Sequence, residues 1–109
     1  MDKAREQEIV NEIASMHIEG HRKVPDEFGL FEIPCDLRGY RVAQGEILRL
    51  SLEIVRLLLR NGIRAGRFGE GRGLDFWTGM TEDQIVEHIR REWQAEGEPI
   101  LGKSICWFG

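Results

Sequence analysis

The sequence predicts an α+β fold: a small winged-helix-like single domain with about three helices, a β-hairpin and a C-terminal strand. Three observations support this prediction. Residues 46–60 form a leucine-rich segment with helical periodicity, residues 63–77 read as two short strands around a glycine-rich turn, and residues 81–84 form a helix-capping motif. A helix followed directly by a two-stranded wing is the ending of a winged-helix unit, and 109 residues fit one domain.

Residues 3–19 are predicted to form the first helix. Ile9, Ile13 and Met16 recur on one stripe, and Gly20 is expected to end the helix. The stripe is narrow, so this helix should pack on one side only.

Residues 21–43 lack a clear period, because prolines and glycines interrupt the segment. The segment nevertheless contains too many apolar residues for a free linker. We therefore expect an ordered connection with a short helix or strand, packed against the central helix.

The central helix is predicted over residues 46–60, and most of its surface is apolar. Its polar side chains project within about a quarter turn of one another. These residues are Glu46, Arg49, Glu53, Arg56 and Arg60. The helix must therefore be covered on several sides, and Asn61-Gly62 supplies a left-handed stop.

The glycine-rich run at residues 66–73 is predicted to be a hairpin turn. A phosphate-binding loop requires its glycines between a strand and a helix, whereas these glycines lie between two predicted strands. Glycines suited to positive φ in a tight turn explain the run better.

The last helix begins at a capping box, Thr81 to Gln84, and presents Ile85, Ile89 and Trp93 on one face. Gly97 and the proline that follows it end the helix. Residues 104–108 then form a short apolar strand, which is expected to pair with the hairpin or to cover a sheet edge.

The composition is that of a soluble globular protein, with 41% hydrophobic and 31% charged residues. No apolar run approaches the roughly 20 residues of a membrane span, and the chain begins with a charged helical segment rather than a signal peptide. We therefore expect a cytoplasmic protein without a membrane partner. In that reducing compartment Cys35 and Cys106 are expected to be buried thiols.

The net charge of −4 is unevenly distributed along the chain. Residues 1–43 carry −3, residues 44–79 carry +2 and residues 80–109 carry −3. The hairpin region is therefore basic and both flanks are acidic. This distribution argues against a surface devoted wholly to nucleic acid.

An acidic and aromatic cluster in the irregular segment is the candidate partner-binding site. Its residues are Asp26, Glu27, Phe28, Glu32 and Asp36. Charge accelerates the encounter with a basic protein, and apolar groups hold the complex together. The competing interpretation is a solvated loop whose aromatic side chains point inward.

The hairpin arginines Arg64, Arg67 and Arg72 are the candidate site for an alternative function, nucleic-acid binding by a wing. The preceding helix argues against this alternative. Glu46 and Glu53 on its polar stripe would repel a phosphate backbone.

No catalytic or metal-binding constellation stands out, so we expect no enzyme activity, no cofactor and no metal. Ser15 and Ser51 lack a nucleophile motif around them. His17 and His21 have the spacing of a helical metal pair, but the helix is expected to end between them. A third possibility is a small enzyme whose site is built from the irregular segment, and a closed pocket that holds His17 or His88 beside a carboxylate would support it.

The second half of the chain carries a set of motifs that resembles known proteins. The shared features are the helix ending at Asn61-Gly62, the run Gly66-Arg67-Phe68, Trp77, the pair Glu92-Trp93, and a tail with Gly97, Pro99, Gly102 and residues 105–108. Residues 46–108 thereby resemble small bacterial proteins that include immunity proteins of contact-dependent growth inhibition and other polymorphic toxin systems. The resemblance implies a protein that binds and neutralises a cognate toxin, such as a nuclease domain, and it transfers no functional residue.

Overall fold

The computed structural model describes residues 1–69, 73–100 and 105–109. Its α-helices and strands within these ranges are α1 (Lys3–Lys23), β1 (Phe28–Gly29), α2 (Glu32–Gly39), α3 (Ile47–Arg60), β2 (Ala65–Phe68), β3 (Leu74–Phe76), α4 (Glu82–Glu96) and β4 (Trp107–Phe108), and a short 3-10 helix at Gln44–Glu46 precedes α3. The predicted α+β class is confirmed. A membrane-spanning helix is not found among the described residues, since none of these helices combines sufficient length with sufficient apolar character.

Helix α3 lies at the centre of the molecule and contacts α1, α2 and α4. Leu50, Ile54 and Leu58 on α3 are fully buried, as the leucine-rich pattern predicts. The helix ends in a Schellman motif: the Ile63 amide donates to the Leu58 carbonyl at 3.1 Å, and Gly62 has a φ of 85°. The predicted left-handed stop is therefore confirmed.

Arginines of the polar stripe of α3 form ion pairs with the neighbouring helices. Arg49 donates two hydrogen bonds of 3.0 Å to the Glu6 carboxylate on α1. On the other side, Arg60 Nε donates to Glu82 Oε1 of α4 at 2.7 Å, and Arg56 reaches the same carboxylate at 3.0 Å. The hydrogen bond from Arg60 lowers the pKa of Glu82. The stripe is thus engaged by its neighbours rather than open to a groove of DNA.

Helix α1 is longer than predicted, because it continues through Gly20 to Lys23. Gly20 does not adopt a positive φ, so it does not cap the helix. The chain leaves the helix at Val24, the residue before Pro25, where the proline ring disfavours helical geometry. The predicted end at residue 19 was wrong.

The buried face of α1 also differs from the predicted stripe at one position. Ile9, Val10, Ile13 and Ala14 are buried, whereas Met16 is 54% exposed. The helix presents the Val10 and Ala14 side to α3, and Met16 lies beyond the edge of the contact.

The irregular segment contains both a short strand, β1, and a short helix, α2, as expected of an ordered connection. Leu30, Ile33 and Leu37 are fully buried, and α2 contacts α3. This segment therefore contributes a substantial part of the hydrophobic core.

The four strands form one antiparallel sheet with the order β1-β4-β2-β3. The predicted hairpin is confirmed as β2 and β3, although residues 70–72 of its turn lie outside the described residues. The predicted C-terminal strand is confirmed as β4, which pairs with β2 on one side and β1 on the other. The hairpin is therefore part of a larger sheet and does not protrude as an isolated wing.

Register divides the sheet into two faces. Phe108 pairs with Ala65 and Phe28, and Phe108 and Ala65 belong to the buried core under the helices. The neighbouring residue, Trp107, pairs with Gly66, so it must point to the opposite face. The helices thus cover one face of the sheet, and Trp107 marks the other.

Helix α4 follows its prediction closely. The Thr81 hydroxyl accepts a hydrogen bond from the Gln84 amide at 3.2 Å, and the Gln84 side chain accepts one from the Thr81 amide at 2.9 Å. Ile85, Ile89 and Trp93 are buried against the core. The helix ends before Gly97, whose φ is 93°.

Candidate functional site

Aromatic side chains lie on the sheet face that the helices leave uncovered. This aromatic face consists of Phe31, Phe68, Phe76 and Trp107. Trp107 is its centre, because its ring lies 5.0 Å from that of Phe68 and 5.9 Å from that of Phe31, both edge to face. Phe68 is 48% exposed and the other three are half-buried. The three contacting rings of Phe31, Trp107 and Phe68 form a continuous apolar surface that is partly exposed to solvent.

Glycines on the neighbouring strands make room for these rings. Gly29 and Gly66 both lie in register with Trp107, on either side of it. A Cβ atom on Gly29 would lie 2.5 Å from Phe31 Cδ1, so the ring occupies the space that a side chain would take. Phe31 can therefore lie against the backbone of β1 and contact Trp107.

Phe28, the aromatic residue predicted to contact a partner, points the other way. Its ring stacks on His17 of α1 at 4.7 Å and on Phe108 at 5.2 Å, and it is half-buried. The inward orientation considered as the competing interpretation thus applies to Phe28. Phe31 is the residue of this segment that reaches the aromatic face.

Three predicted acids have no cationic partner among the described residues. Asp26 and Glu27 are exposed just before β1, and Glu32 is half-buried just after Phe31. The fourth, Asp36, is engaged: its Oδ2 lies 2.8 Å from His17 Nε2. Asp26, Glu27 and Glu32 thus flank β1 along the chain without an ion pair, and they are called the acidic margin here, whereas Asp36 is held by His17.

Carboxylates elsewhere on the surface are mostly paired within the protein. Glu8, Glu19 and Glu87, for example, each lie within 3.5 Å of an arginine on their own helix. By contrast, Glu27 forms no ion pair among the described residues, and it borders a cleft of about 300 Å³ that Arg64 and Phe76 also line. Negative charge without a partner thus adjoins the aromatic face.

The hairpin arginines are not arranged as a phosphate-binding set. Arg67 donates to the Glu92 carboxylate at 2.6 Å and to the Ile105 carbonyl at 3.1 Å, which ties β2 to α4. The Arg64 guanidinium lies 3.7 Å above the centre of the Phe76 ring. Arg72 lies outside the described residues. Within the described part of the hairpin region, Arg64 is therefore the only arginine without a carboxylate partner.

Two histidine–carboxylate pairs are present, of the kind that the small-enzyme possibility requires. His17 contacts Asp36, as above, and His88 Nε2 lies 3.2 Å from Glu92 Oε1. The His17–Asp36 pair joins α1 to α2. Because the His17 side chain is only 11% exposed and its ring stacks on Phe28, this pair is a structural contact. In the part of the chain that the structure describes, no serine hydroxyl hydrogen-bonds a histidine.

His17 and His21 both lie on α1, because the helix extends past both residues. The expected break between them was wrong. His17 is nevertheless directed to Asp36, and residues 1–69, 73–100 and 105–109 contain no group of three or more histidine, cysteine or acidic side chains that could hold a metal ion.

The two cysteines occupy different environments. Cys106 is buried, as expected, but Cys35 on α2 is exposed, so the prediction was wrong for Cys35. The side chain at residue 35 lies on the outer surface of a helix whose inner surface is formed by Ile33 and Leu37. Burial raises the pKa of the Cys106 thiol to about 12.

Native thiol labelling is therefore expected to stop at one site. Iodoacetamide at pH 8 should alkylate Cys35 and spare Cys106, because only the thiolate reacts and burial keeps Cys106 neutral and inaccessible. Mass spectrometry of peptides before and after denaturation measures both sites. Rapid native alkylation of Cys106 would contradict its buried position.

The same buried thiol predicts a pH dependence of stability. The free energy of unfolding should fall as the pH rises from 9, the ordinary thiol pKa, toward 12, because unfolding in this range releases a proton that the folded state retains.

Comparisons with protein-family models, curated proteins and solved structures find no match to this chain. A function is therefore inferred from the side chains of the protein and their contacts.

Proposed function

We propose that this protein is a cytoplasmic immunity protein that binds a cognate basic toxin and covers its active or substrate-binding surface. One observation carries the proposal: the unpaired carboxylates Asp26, Glu27 and Glu32 adjoin a half-exposed aromatic face centred on Trp107. The sequence motifs of residues 46–108 that suggested immunity proteins are the second ground for the proposal, while no compared protein matches the chain.

The two parts of the surface would serve different steps of binding. Aromatic residues, tryptophan above all, contribute large contact areas at the centres of interfaces and dominate affinity. Charged groups at the margin accelerate encounter and select partners of opposite charge. Trp107 with Phe31 and Phe68 would thus form the contact, and the acidic margin would guide a basic partner toward it.

A nuclease domain is the kind of toxin that fits this charge best. Proteins that bind nucleic acid carry clustered lysine and arginine side chains that neutralise phosphates. Carboxylates on an inhibitor can occupy the same cationic surface. Asp26, Glu27 and Glu32 would take the place of phosphate groups, and the aromatic face would exclude water around them.

Copurification with the product of the gene immediately upstream tests the proposal, and calorimetry of the purified pair measures the affinity. Replacing Asp26, Glu27 and Glu32 by Asn, Gln and Gln is expected to weaken binding about tenfold or more, mainly through slower association at low salt. The variant should fold normally, because these carboxylates form no ion pair among the described residues, and the 2.9 Å hydrogen bond that Asp26 Oδ1 accepts from the Glu27 amide can be kept by the side-chain oxygen of the substituted asparagine.

The matched control replaces Glu8, Glu19 and Glu87 by glutamine. It changes the net charge equally but alters acids that pair with arginines of their own helices. Binding should then stay within about threefold of the wild-type value. Equal weakening by both triple variants would remove the acidic margin as the site, and failure of the upstream product to bind would remove the proposed function.

Nucleic-acid binding is the alternative function, and its support is weaker because Arg67 is held by Glu92 and Ile105. A mobility-shift assay with single- and double-stranded DNA at low salt distinguishes the two functions. Salt-dependent binding that Arg67→Ala weakens would favour the alternative. We expect no shift.

A further inference from the structure

A second concave site lies apart from the acidic margin, between the end of α3, the start of β2 and the segment that leads into α4. It is a cleft of about 400 Å³, within the range of small-molecule sites. Apolar side chains form most of its lining, among them Leu59, Ile63, Trp77 and Met80. Leu59, Trp77 and Met80 are half-buried at its surface, so an apolar ligand would cover side chains that now contact water.

The charged side chains in and around this cleft leave an excess of positive charge. Arg56 and Arg60 are engaged by Glu82 and Asp83 at the start of α4. Arg64, which also lines the cleft, has no carboxylate within 4.0 Å among the described residues. One positive charge therefore remains without a partner at the rim of an apolar cleft.

The position of Arg64 suits it to bind an anion. Its guanidinium lies 3.7 Å above the centre of the Phe76 ring, which limits the orientations of the side chain before any ligand arrives. Stacking uses the face of the guanidinium and leaves the N–H groups at its edge available. Two such groups match the two oxygens of a carboxylate in a bidentate pair.

We infer that this cleft binds a small apolar monocarboxylate, whose carboxylate pairs with Arg64 and whose hydrocarbon body lies against Trp77, Met80 and Leu59. The apolar lining favours a hydrocarbon chain, and the unpaired guanidinium of Arg64 favours a carboxylate. A ligand with a positive head would meet the unpaired charge of Arg64 and is disfavoured. The cleft shares Phe76 with the aromatic face, but its other ligand contacts lie outside the toxin-binding surface, so binding of a small ligand and binding of a toxin are tested separately.

Octanoate is the test ligand, titrated into the isolated full chain and followed by heteronuclear NMR. Saturable shifts are expected at the Trp77 indole and at the amides of Ile63 and Met80. 1-Octanol should bind roughly tenfold more weakly, since it lacks the charge-assisted hydrogen bonds, and octylammonium should not bind. Octanol binding as tightly as octanoate would overturn the inference.

Two variants of cleft residues and one control variant separate the contribution of charge from that of shape. Arg64→Gln should weaken octanoate about tenfold and leave octanol unchanged, whereas Arg5→Gln, which removes an exposed arginine of α1, should change neither. Thr78→Trp places a large ring at an exposed position of the cleft and should weaken both ligands.

Arg64 also borders the smaller cleft that contains Glu27, and the pattern of shifts distinguishes the two. Shifts confined to Gly62 and Gly109, residues of that smaller cleft, would overturn the assignment. So would an Arg64→Gln variant that binds octanoate as tightly as the wild type does.

Discussion

Replacing Phe108 by alanine is expected to lower the free energy of unfolding by about 3–5 kcal/mol. Phe108 is the largest fully buried side chain, its ring stacks on Phe28, and its strand joins β1 to β2. Truncation would lose the transfer free energy of the ring and leave a cavity between the sheet and the helices. Guanidinium denaturation followed by circular dichroism measures the change.

The adjacent residue provides the control. Trp107 belongs to the same two-residue strand but points to the uncovered face, where its contacts are the edges of two rings. Trp107→Ala should therefore be less destabilising than Phe108→Ala, although tryptophan is the larger residue. If Trp107→Ala were the more destabilising change, the aromatic face would be a second core rather than a binding surface.

Replacing Gly66 by alanine is expected to destabilise the protein by about 3 kcal/mol or more. A Cβ atom at this position would overlap the carbonyl oxygen of Asp75 and lie 2.7 Å from Phe76 Cα on the paired strand. Both are backbone atoms of β3, so rotation of a side chain cannot relieve the clash. β2 and β3 would have to separate, which should also disturb the Trp107 contact.

Gly39→Ala is the matched change at a permissive position. No atom lies within 4 Å of the site of its Cβ, and its φ is not positive. We expect a change between a loss of about 0.5 kcal/mol and a gain of about 1 kcal/mol. Thermal unfolding of both variants checks the comparison, and equal effects would contradict the close approach of β2 and β3 at Gly66.

Local signals explain which elements could be predicted from the sequence. The period of α3, the left-handed Gly62 and the Thr81 capping box each depend on residues within a few positions of one another. The end of α1 was missed because two stop signals compete there. Gly20 permits a helix to end but does not require it, whereas Pro25 restricts the preceding residue sterically.

The candidate site could be predicted only in part, because its properties depend on tertiary contacts. The acidic segment was visible in the sequence, but the pairing of Asp36 with His17 depends on how α1 packs on α2. Whether Phe28 or Phe31 faces outward depends on the pairing of β1 with β4. The alternation of Trp107 and Phe108 in a strand was the one available signal that an aromatic residue would face away from the core.

A hydrogen-exchange footprint of the complex with the upstream gene product tests the central claim most directly. The account predicts slower exchange at the amides around the acidic margin and the aromatic face, in residues 26–32, 66–68 and 105–109. The outer surface of α4, which carries Glu87, Arg90 and Arg91, should exchange as in the isolated protein. Protection confined to α4, with residues 26–32 unchanged, would contradict the claim that unpaired acids and an uncovered aromatic face form the binding surface.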